Sequence, residues 1–384
     1  MRKFQCHYRY SILLMIFATG CIEAYAPPVV DAEVNYLVVD GSLDSSSGSA
    51  QVKLSRAVSL SSAKPPSPEL NSKVSVEGND GSRYPLAEIG DGVYQQSGLA
   101  IANTSEYRLH IKTSSNSEYV SDYIRIKTTP PIDEVKWASN PRNDGIDILI
   151  SSHDDTKNSR YYSWSYEETY ENEAPYFNLG IVQQGSELPT AVPKGQETYL
   201  CWKTLPSTKI SITSTDKLTD DVVSNFPLAL IPIGSPKVII KYSILVKQRV
   251  LNKQAYAYWL ALQKTTETLG GLFDPQPGRV AGNIHNINDP NIPAIGYFDV
   301  GSTQQKRIFI DSKEIPANLK SFKSYDGCPV DTVKLEDLSK FDYVGNSLIE
   351  RIPKAPGPGT YGYKYTFSSC TTCQGVTSKP PFWE

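Results

Sequence analysis

The hydrophobic pattern of residues 237–283 changes period halfway along the segment. Apolar side chains occupy every second position over residues 238–246, which is typical of a β-strand. After Asn252, which can cap a helix, apolar residues recur at helical spacing until Gly270-Gly271 ends the pattern. We therefore predict a strand leading into one amphipathic helix over residues 252–269. Its apolar stripe is expected to cover an open face of a β-sandwich; alternatively, the helix or the following loop contacts a partner.

The remaining pattern consists mostly of short alternating runs separated by Gly, Ser, Asn and Asp clusters. Residues 34–128 predict an immunoglobulin-like β-sandwich. A Thr-Thr-Pro-Pro linker separates it from residues 131–311, which predict a fibronectin-like sandwich containing the helix at 252–269. Residues 312–384 have little apolar periodicity. The expected fold is mainly β, with two tandem immunoglobulin/fibronectin-like sandwiches, the second elaborated by the helix and by a loop-rich C-terminal region.

The N-terminus has the features of an export signal. A positively charged start and a short apolar run at residues 12–17 precede Ala18-Thr19-Gly20-Cys21. Because this ending resembles the bacterial lipobox, it predicts a lipoprotein signal peptide at 1–20, lipidation (palmitate) of Cys21 and a lipid-anchored tether at 21–33. The alternative is an ordinary secretory signal with a chance cysteine. No later stretch approaches the ~20 apolar residues of a membrane-spanning helix.

The charge balance bears on the class of partner. Loss of Arg2, Lys3 and Arg9 with the signal lowers Lys plus Arg from 38 to 35 against 41 Asp plus Glu, a net charge of about −6. The charges are spread along the chain rather than clustered. This distribution argues against a nucleic-acid partner, which requires clustered Lys and Arg.

Four cysteines remain after Cys6 and Cys21 are set aside: Cys201, Cys328, Cys370 and Cys373. In an exported protein four cysteines indicate two disulfides. We expect Cys370 and Cys373 each to bond one of the other two, because a bridge within Cys370-Thr-Thr-Cys373 constrains almost nothing. A loop of about 40 residues closed by Cys328 and Cys370 is worth roughly 4 kcal/mol. The alternatives are a four-thiolate zinc site and a thioredoxin-like redox motif.

Residues with catalytic or metal-binding chemistry are sparse in this sequence. His110 lies within a predicted strand, His153-Asp154-Asp155 in a predicted turn and His285 in a polar loop, with no second ligand at metal spacing. Glu167-Glu168 is a carboxylate pair whose members face opposite sides of a strand. We therefore assign no catalytic residue, metal or cofactor. The enzyme alternative is a hydrolase that uses carboxylates such as Glu167 or Asp154.

Two aromatic segments are candidates for contact with a partner. One is a tyrosine-rich strand whose alternate residues share a face, and the other is a proline-pinned loop after the helix. Burial in the core is the competing fate for both. The candidate contact residues are Tyr162, Trp164, Tyr166, Phe273, Pro275 and Pro277.

An ordered set of short motifs runs through the chain. They are Val38-Val39-Asp40-Gly41, the tyrosine-rich run 161–170, Cys201-Trp202, Tyr242-Ser243-Ile244, the run 271–277, Gly282-Asn283-Ile284, Gly296-Tyr297-Phe298, the run 306–310, Cys370/Cys373 and Pro381-Phe382-Trp383. This set resembles the DUF4249 family of Bacteroidota lipoproteins. The resemblance implies an outer-membrane lipoprotein encoded beside a TonB-dependent transporter, and it brings no catalytic residues.

These observations lead to a function hypothesis. We expect a non-enzymatic lipoprotein, anchored to the outer membrane through acylated Cys21 and facing the cell surface. Its expected partner is a TonB-dependent outer-membrane β-barrel transporter, whose substrate it helps to capture or gate. The alternatives are a surface glycan-binding or adhesive module and, less favoured, the carboxylate-dependent hydrolase.

Overall fold

The computed structural model describes residues 35–58, 65–183, 186–192, 198–267, 280, 282–320, 322–376 and 378–383. These residues form a mainly β fold, as predicted. The strands are β1 (Leu37–Asp44), β2 (Ser49–Arg56), β3 (Ser67–Pro68), β4 (Lys73–Gly78), β5 (Arg83–Gly90), β6 (Val93–Gln96), β7 (Glu106–Lys112), β8 (Glu118–Ser121), β9 (Ile124–Arg125), β10 (Ile132–Ser139), β11 (Gly145–His153), β12 (Tyr161–Glu173), β13 (Ile181–Val182), β14 (Pro189–Thr190), β15 (Leu200–Pro206), β16 (Ser211–Ser214), β17 (Val222–Pro232), β18 (Lys241–Val250), β19 (Ile284–Asn286), β20 (Ile295–Gly301), β21 (Thr303–Asp311), β22 (Asp331–Lys334), β23 (Asn346–Pro353) and β24 (Thr360–Phe367).

Helical structure is limited within the described residues. The α-helix, α1, spans Lys253–Glu267. Short 3-10 helices cover Pro236–Val238, Ser312–Glu314, Ala317–Leu319, Leu335–Lys340 and Ser368–Cys370.

The first module is an eleven-stranded sheet around one apolar core. Its strand order is β19-β8-β7-β4-β5-β6-β2-β1-β20, with β3 paired to β2 and β9 paired to β7. Alternate residues of β1 and β7, such as Leu37, Val39 and Leu109, point into this core and are fully or almost fully buried. The alternation that predicted strands over residues 34–128 therefore marks the inner face of this sheet.

Residues 284–301 complete the first module rather than the second. Strand β20 pairs in parallel with β1, with Val38 opposite Ile295, and β19 pairs antiparallel with β8. Nearly every residue of β20 is buried. The structure thus corrects the predicted assignment of the whole segment 131–311 to one module. The physical reason is that β1 and β8 offer unpaired backbone edges, which β20 and β19 satisfy.

Helix α1 covers the first core. Its predicted existence and extent are confirmed up to Glu267, and the Oδ1 atom of Asn252 accepts a hydrogen bond from the backbone of Ala255 at 2.7 Å, as expected for a cap. Ala255 and Tyr258 belong to the first core, and the Tyr258 ring lies 5.2 Å from that of Tyr297 on β20. The prediction that this helix elaborates the second module is corrected accordingly. The helix packs against β20, which is a strand of the first module.

The second module consists of two sheets that share another core. One sheet has the order β10-β11-β17, and the other has the order β15-β12-β18-β21 with β16 paired to β12. Side chains of both sheets meet in this core, including Ile148 of β11, Trp164 of β12 and Ile244 of β18. The two modules are joined at Ser302, which lies between β20 and β21 and hydrogen-bonds to Thr129 of the linker through its hydroxyl and its carbonyl.

The C-terminal lobe is a small sheet fastened to the second module. It has the order β22-β24-β23 and a core formed around Leu338, Leu348 and Tyr363. The end of the chain returns to β18 and β21, where Trp383 is buried against Phe309. Only three hydrophobic residues are buried in the described core of this lobe, which is consistent with the weak apolar periodicity of its sequence.

Candidate functional site

The predicted aromatic contact strand is part of the second core. Tyr162 and Trp164 expose 0% and 2% of their surface, and Tyr166 is partly buried against the same core. The Tyr162 hydroxyl donates to Asp221 at 3.0 Å, and the Trp164 indole donates to Gln248 at 2.8 Å. The proposal of these residues as a partner surface is therefore corrected, because the face that they share closes on the sheet of β11.

Two other sets of predicted residues cannot be placed. Phe273, Pro275 and Pro277 lie outside the described residues, and so does Cys21 with the whole segment 1–34. The second contact segment, the signal peptide and the lipidation of Cys21 stay predictions.

The four cysteines form two disulfides. Cys201 is bonded to Cys373 and Cys328 to Cys370. The two bridges fasten the C-terminal lobe to β15 and to the loop before β22. The prediction that Cys370 and Cys373 each bond a cysteine outside their own pair is confirmed, and the structure adds which one each reaches.

His153 lies in an open cleft of about 690 Å³ where the linker meets the second module. Its Nδ1 atom lies 2.8 Å from Asp133, and its Nε2 atom lies 3.8 Å from Asp155. The hydrogen bond with Asp133 and the charge of that carboxylate raise the pKa of His153. These groups form a surface ion cluster within one module.

Asp154 is engaged in holding its own turn. Its carboxylate accepts hydrogen bonds from Thr156, Asn158 and Ser159. Burial raises the pKa of Asp154, but these hydrogen bonds outweigh burial and lower it below its usual value. Glu167 is not among the residues that line this cleft. Of the two carboxylates named for the hydrolase alternative, only Asp154 lies in this cleft.

The other titratable candidates form local pairs. His285 lies 2.9 Å from Asp122, and His110 lies 3.5 Å from Glu77. Glu168 is buried and forms an ion pair with the half-buried Lys237, whereas its neighbour Glu167 is partly exposed, as expected for adjacent strand residues. Among the described residues, no group of three or more His, Cys, Asp or Glu side chains is arranged to hold a metal ion.

A cluster that the sequence patterns did not single out lies beside the disulfides. We call Tyr176, Phe177, Tyr199, Lys323 and Tyr325 the aromatic patch. The rings of Tyr176 and Tyr325 lie 5.1 Å apart, and those of Phe177 and Tyr199 lie 5.4 Å apart in an edge-to-face arrangement. The Nζ atom of Lys323 lies 4.9 Å from the centre of the Tyr199 ring and 5.8 Å from that of Tyr325. The lysine thus links the two ring pairs.

Electrostatic contacts fix Lys323 in this position. Its ammonium donates to the Tyr199 hydroxyl at 3.0 Å and lies 2.9 Å from Glu173. Burial opposes the charge of Lys323, but the hydrogen bonds to Tyr199 and Glu173 outweigh burial and raise its pKa. The Tyr199 hydroxyl in turn donates to Glu173 at 2.7 Å. Tyr199 is therefore held by a donor on one side and an acceptor on the other.

The backbone of the aromatic patch is tied to the disulfide-bonded cysteines. The amide of Tyr176 donates to the carbonyl of Cys370 at 3.0 Å, and the amide of Cys328 donates to the carbonyl of Tyr325 at 3.1 Å. The amide of Cys373 donates to the carbonyl of Thr198, the residue before Tyr199, at 2.7 Å. Both bridges therefore help to position the rings.

Part of the aromatic patch faces solvent. Phe177 is 53% exposed and Tyr325 is 50% exposed. Next to Phe177 and Tyr199 lies a cavity of about 120 Å³. It is lined by Phe177, Asn178, Ala191, Val192, Thr198, Tyr199 and Thr371. We call it the ring-sized cavity. Exposed rings on a fixed frame beside a cavity can stack against a ligand or a partner.

A sequence signal for the aromatic patch does exist. An aromatic residue precedes each of two cysteines, at Tyr199 before Cys201 and at Tyr325 before Cys328. The contacts themselves join parts of the chain that are far apart in sequence. Spacing alone does not reveal such contacts.

Comparison with known proteins places the chain in a family. Residues 22–307 match the family described as "Domain of unknown function (DUF4249)". The chain belongs to the DUF4249 family. The matched segment contains Tyr176, Phe177 and Tyr199, whereas Lys323 and Tyr325 lie beyond it. No curated protein matches the chain.

The helical content of this DUF4249 chain also bears on its relation to membranes. Within the part of the chain that the structure describes, no helix has the length and apolar character required to cross a bilayer.

Proposed function

We propose that this DUF4249 protein is a non-enzymatic outer-membrane lipoprotein that acts as an accessory subunit of a TonB-dependent transporter and helps to capture or gate its substrate. The observation that carries the proposal is the aromatic patch, whose exposed rings are held by two disulfides. Tyrosine and other aromatic residues are enriched at recognition surfaces. A surface that is ordered before binding loses less conformational entropy on binding, which favours affinity.

The anchor supports a position close to the membrane. Cys21 precedes the first residue of β1, Leu37, by only a short tether. Fully extended, this tether reaches at most about 55 Å. An acylated Cys21 therefore keeps Leu37, where the first module begins, within that distance of the bilayer surface, where a β-barrel partner is embedded. The two disulfides fit an exported protein.

The first test concerns the anchor. Cells expressing the full chain are fed an alkyne-bearing fatty acid, and the protein is examined for covalent label. The proposal expects label on the wild type, and it expects Cys21→Ser to lose both label and membrane association. An unlabelled wild type contradicts the lipoprotein assignment.

The second test concerns the partner. The tagged full chain is purified from detergent-solubilised outer membranes, and co-purifying proteins are identified by mass. A stoichiometric TonB-dependent β-barrel supports the proposal, and the double variant Phe177→Ala/Tyr325→Ala is expected to reduce its yield. Tyr123→Ala removes an exposed ring of the first module and serves as the matched control. Isolation of the protein alone, or turnover of a glycan or peptide by the purified protein, contradicts the accessory role.

A further inference from the structure

The ring-sized cavity has walls of two different kinds. Phe177 and Tyr199 supply aromatic surface, and Ala191 and Val192 add small apolar groups. Asn178, Thr198 and Thr371 contribute an amide and two hydroxyl groups. Charged side chains are absent from the described lining. An occupant of matching chemistry is uncharged, with one apolar face and a polar edge.

The polar groups of the lining are held in fixed orientations. The Oδ1 atom of Asn178 accepts from the amide of Gly180 at 2.9 Å, and the Thr198 hydroxyl donates to the carbonyl of Thr371 at 3.3 Å. The Thr371 hydroxyl lies 2.8 Å from that of Ser347. Thr371 itself sits between the bonded Cys370 and Cys373 and is buried. These three side chains are therefore preorganised, since the ligand does not need to order them.

The size of the cavity limits the occupant. Pockets that enclose a whole drug-sized ligand measure roughly 300–1,000 Å³, whereas this cavity measures about 120 Å³. It therefore admits a single ring or a comparable group at the end of a larger molecule. Phe177, which lines the cavity, is half-exposed to solvent.

We infer that the ring-sized cavity is a subsite for one neutral pyranose ring of a glycan, which packs against Phe177 and Tyr199 and accepts a hydrogen bond from the Nδ2 atom of Asn178. A pyranose has C–H-bearing faces that suit aromatic rings and hydroxyl groups that suit amide and threonine partners. An aliphatic side chain of a protein partner would leave the Nδ2 atom of Asn178 without a hydrogen-bond acceptor, because only the Oδ1 atom of this amide is used within the described residues, and this is unfavourable. This inference rests on the proposed capture role and specifies the substrate class.

The test measures binding of neutral oligosaccharides to the full chain purified in detergent. The probes are maltohexaose, cellohexaose, xylohexaose, mannohexaose and chitohexaose, with hexagalacturonate as the charged control and benzyl alcohol as the apolar ring control. Titration calorimetry reports affinity. Phe177→Ala removes one wall at an exposed site, and Tyr123→Ala is the matched control in the first module. Unchanged melting temperature and absence of free thiols verify that the variants are folded.

The expected result is binding of at least one neutral hexasaccharide, weakened about tenfold by Phe177→Ala and unchanged by Tyr123→Ala. Hexagalacturonate and benzyl alcohol are expected not to compete. The inference is overturned when none of the five neutral probes binds, when Phe177→Ala binds as well as the wild type, or when benzyl alcohol alone occupies the site. Co-purification of the β-barrel is measured separately, so a transporter subunit without a glycan site remains distinguishable from a failed accessory role.

Discussion

The side-chain amide of Asn283 pairs with both backbone groups of Phe298: its Nδ2 atom donates to the carbonyl of Phe298 and its Oδ1 atom accepts from the amide, each at 2.9 Å. Phe298 lies in β20, which pairs with β1 on its other side. The backbone of Asn283 also accepts from the amide of Asp122, which follows β8. Asn283 therefore joins the two ends of the eleven-stranded sheet, with its side chain on β20 and its backbone on the residue after β8.

Asn283→Ala is expected to destabilise the protein. The substitution leaves the buried amide and carbonyl of Phe298 without these partners, at a cost of about 1–3 kcal/mol for each buried unsatisfied group. Urea denaturation of the full chain measures the effect. Asn291→Ala, in an exposed loop, is the control and is expected to change the free energy of unfolding by less than about 0.5 kcal/mol. Equal stability of the two variants would show that the Asn283 bridge does not stabilise the sheet.

The two disulfides are expected to differ in their contribution to stability. Cys201–Cys373 has a sequence separation of 172 and Cys328–Cys370 one of 42. In the chain-entropy model their loss costs about 5 and about 4 kcal/mol respectively. Denaturation of the paired Cys→Ser variants measures both values. Peptide mapping without reduction provides the control for connectivity, and a 370–373 linkage would contradict the structure.

Tyr162→Phe is expected to reduce stability by about 1–2 kcal/mol, because the variant loses a buried hydrogen bond to Asp221. Asp221 keeps the hydroxyl of Thr215 and the amides of Ser159 and Arg160 as donors, so the fold is retained. The free energy of unfolding is compared with that of Tyr123→Phe, which alters an exposed ring. Loss of partner binding at unchanged stability would instead restore Tyr162 as a contact residue.

His153 is expected to titrate above its ordinary pKa of 6.5 because of its hydrogen bond to Asp133. Since the folded-state pKa is the higher one, the pairing stabilises the fold in full below about pH 6.5, and this contribution disappears as the pH rises through the folded-state value. NMR titration of the His153 ring measures the midpoint. Asp133→Asn is expected to lower it, and Asp122→Asn, which removes the partner of His285, is expected to leave it unchanged. A midpoint insensitive to Asp133→Asn contradicts the assigned cause.

Sequence periodicity was sufficient to predict the type of many elements. The alternation around Ile244 and the helical spacing after Asn252 correspond to β18 and α1. The cysteine spacing also predicted correctly that Cys370 and Cys373 do not bond to each other, because that bridge closes too short a loop to contribute much. Spacing did not decide which of Cys201 and Cys328 each of them reaches.

The same patterns could not predict which strands pair with each other. Nothing in the period of β20 distinguishes pairing with β1 from pairing with its sequence neighbour β21, since both satisfy the backbone equally. Alternation likewise placed Tyr162 and Trp164 on one face without stating whether that face is inner or outer. The aromatic patch was not predicted because its residues lie in loops, which have no regular hydrophobic pattern. Its rings are brought together only by contacts between residues that are far apart in sequence.

The parallel pairing of β1 with β20 has a consequence for folding during synthesis. A ribosome makes the amino end first and therefore delivers β1 long before the segment that will lie alongside it. β2 covers one edge of β1, but until residue 301 emerges the other edge presents unpaired amides and carbonyls, which favour association with other chains. Gene fragments that stop before residue 295 are therefore expected to accumulate as insoluble material.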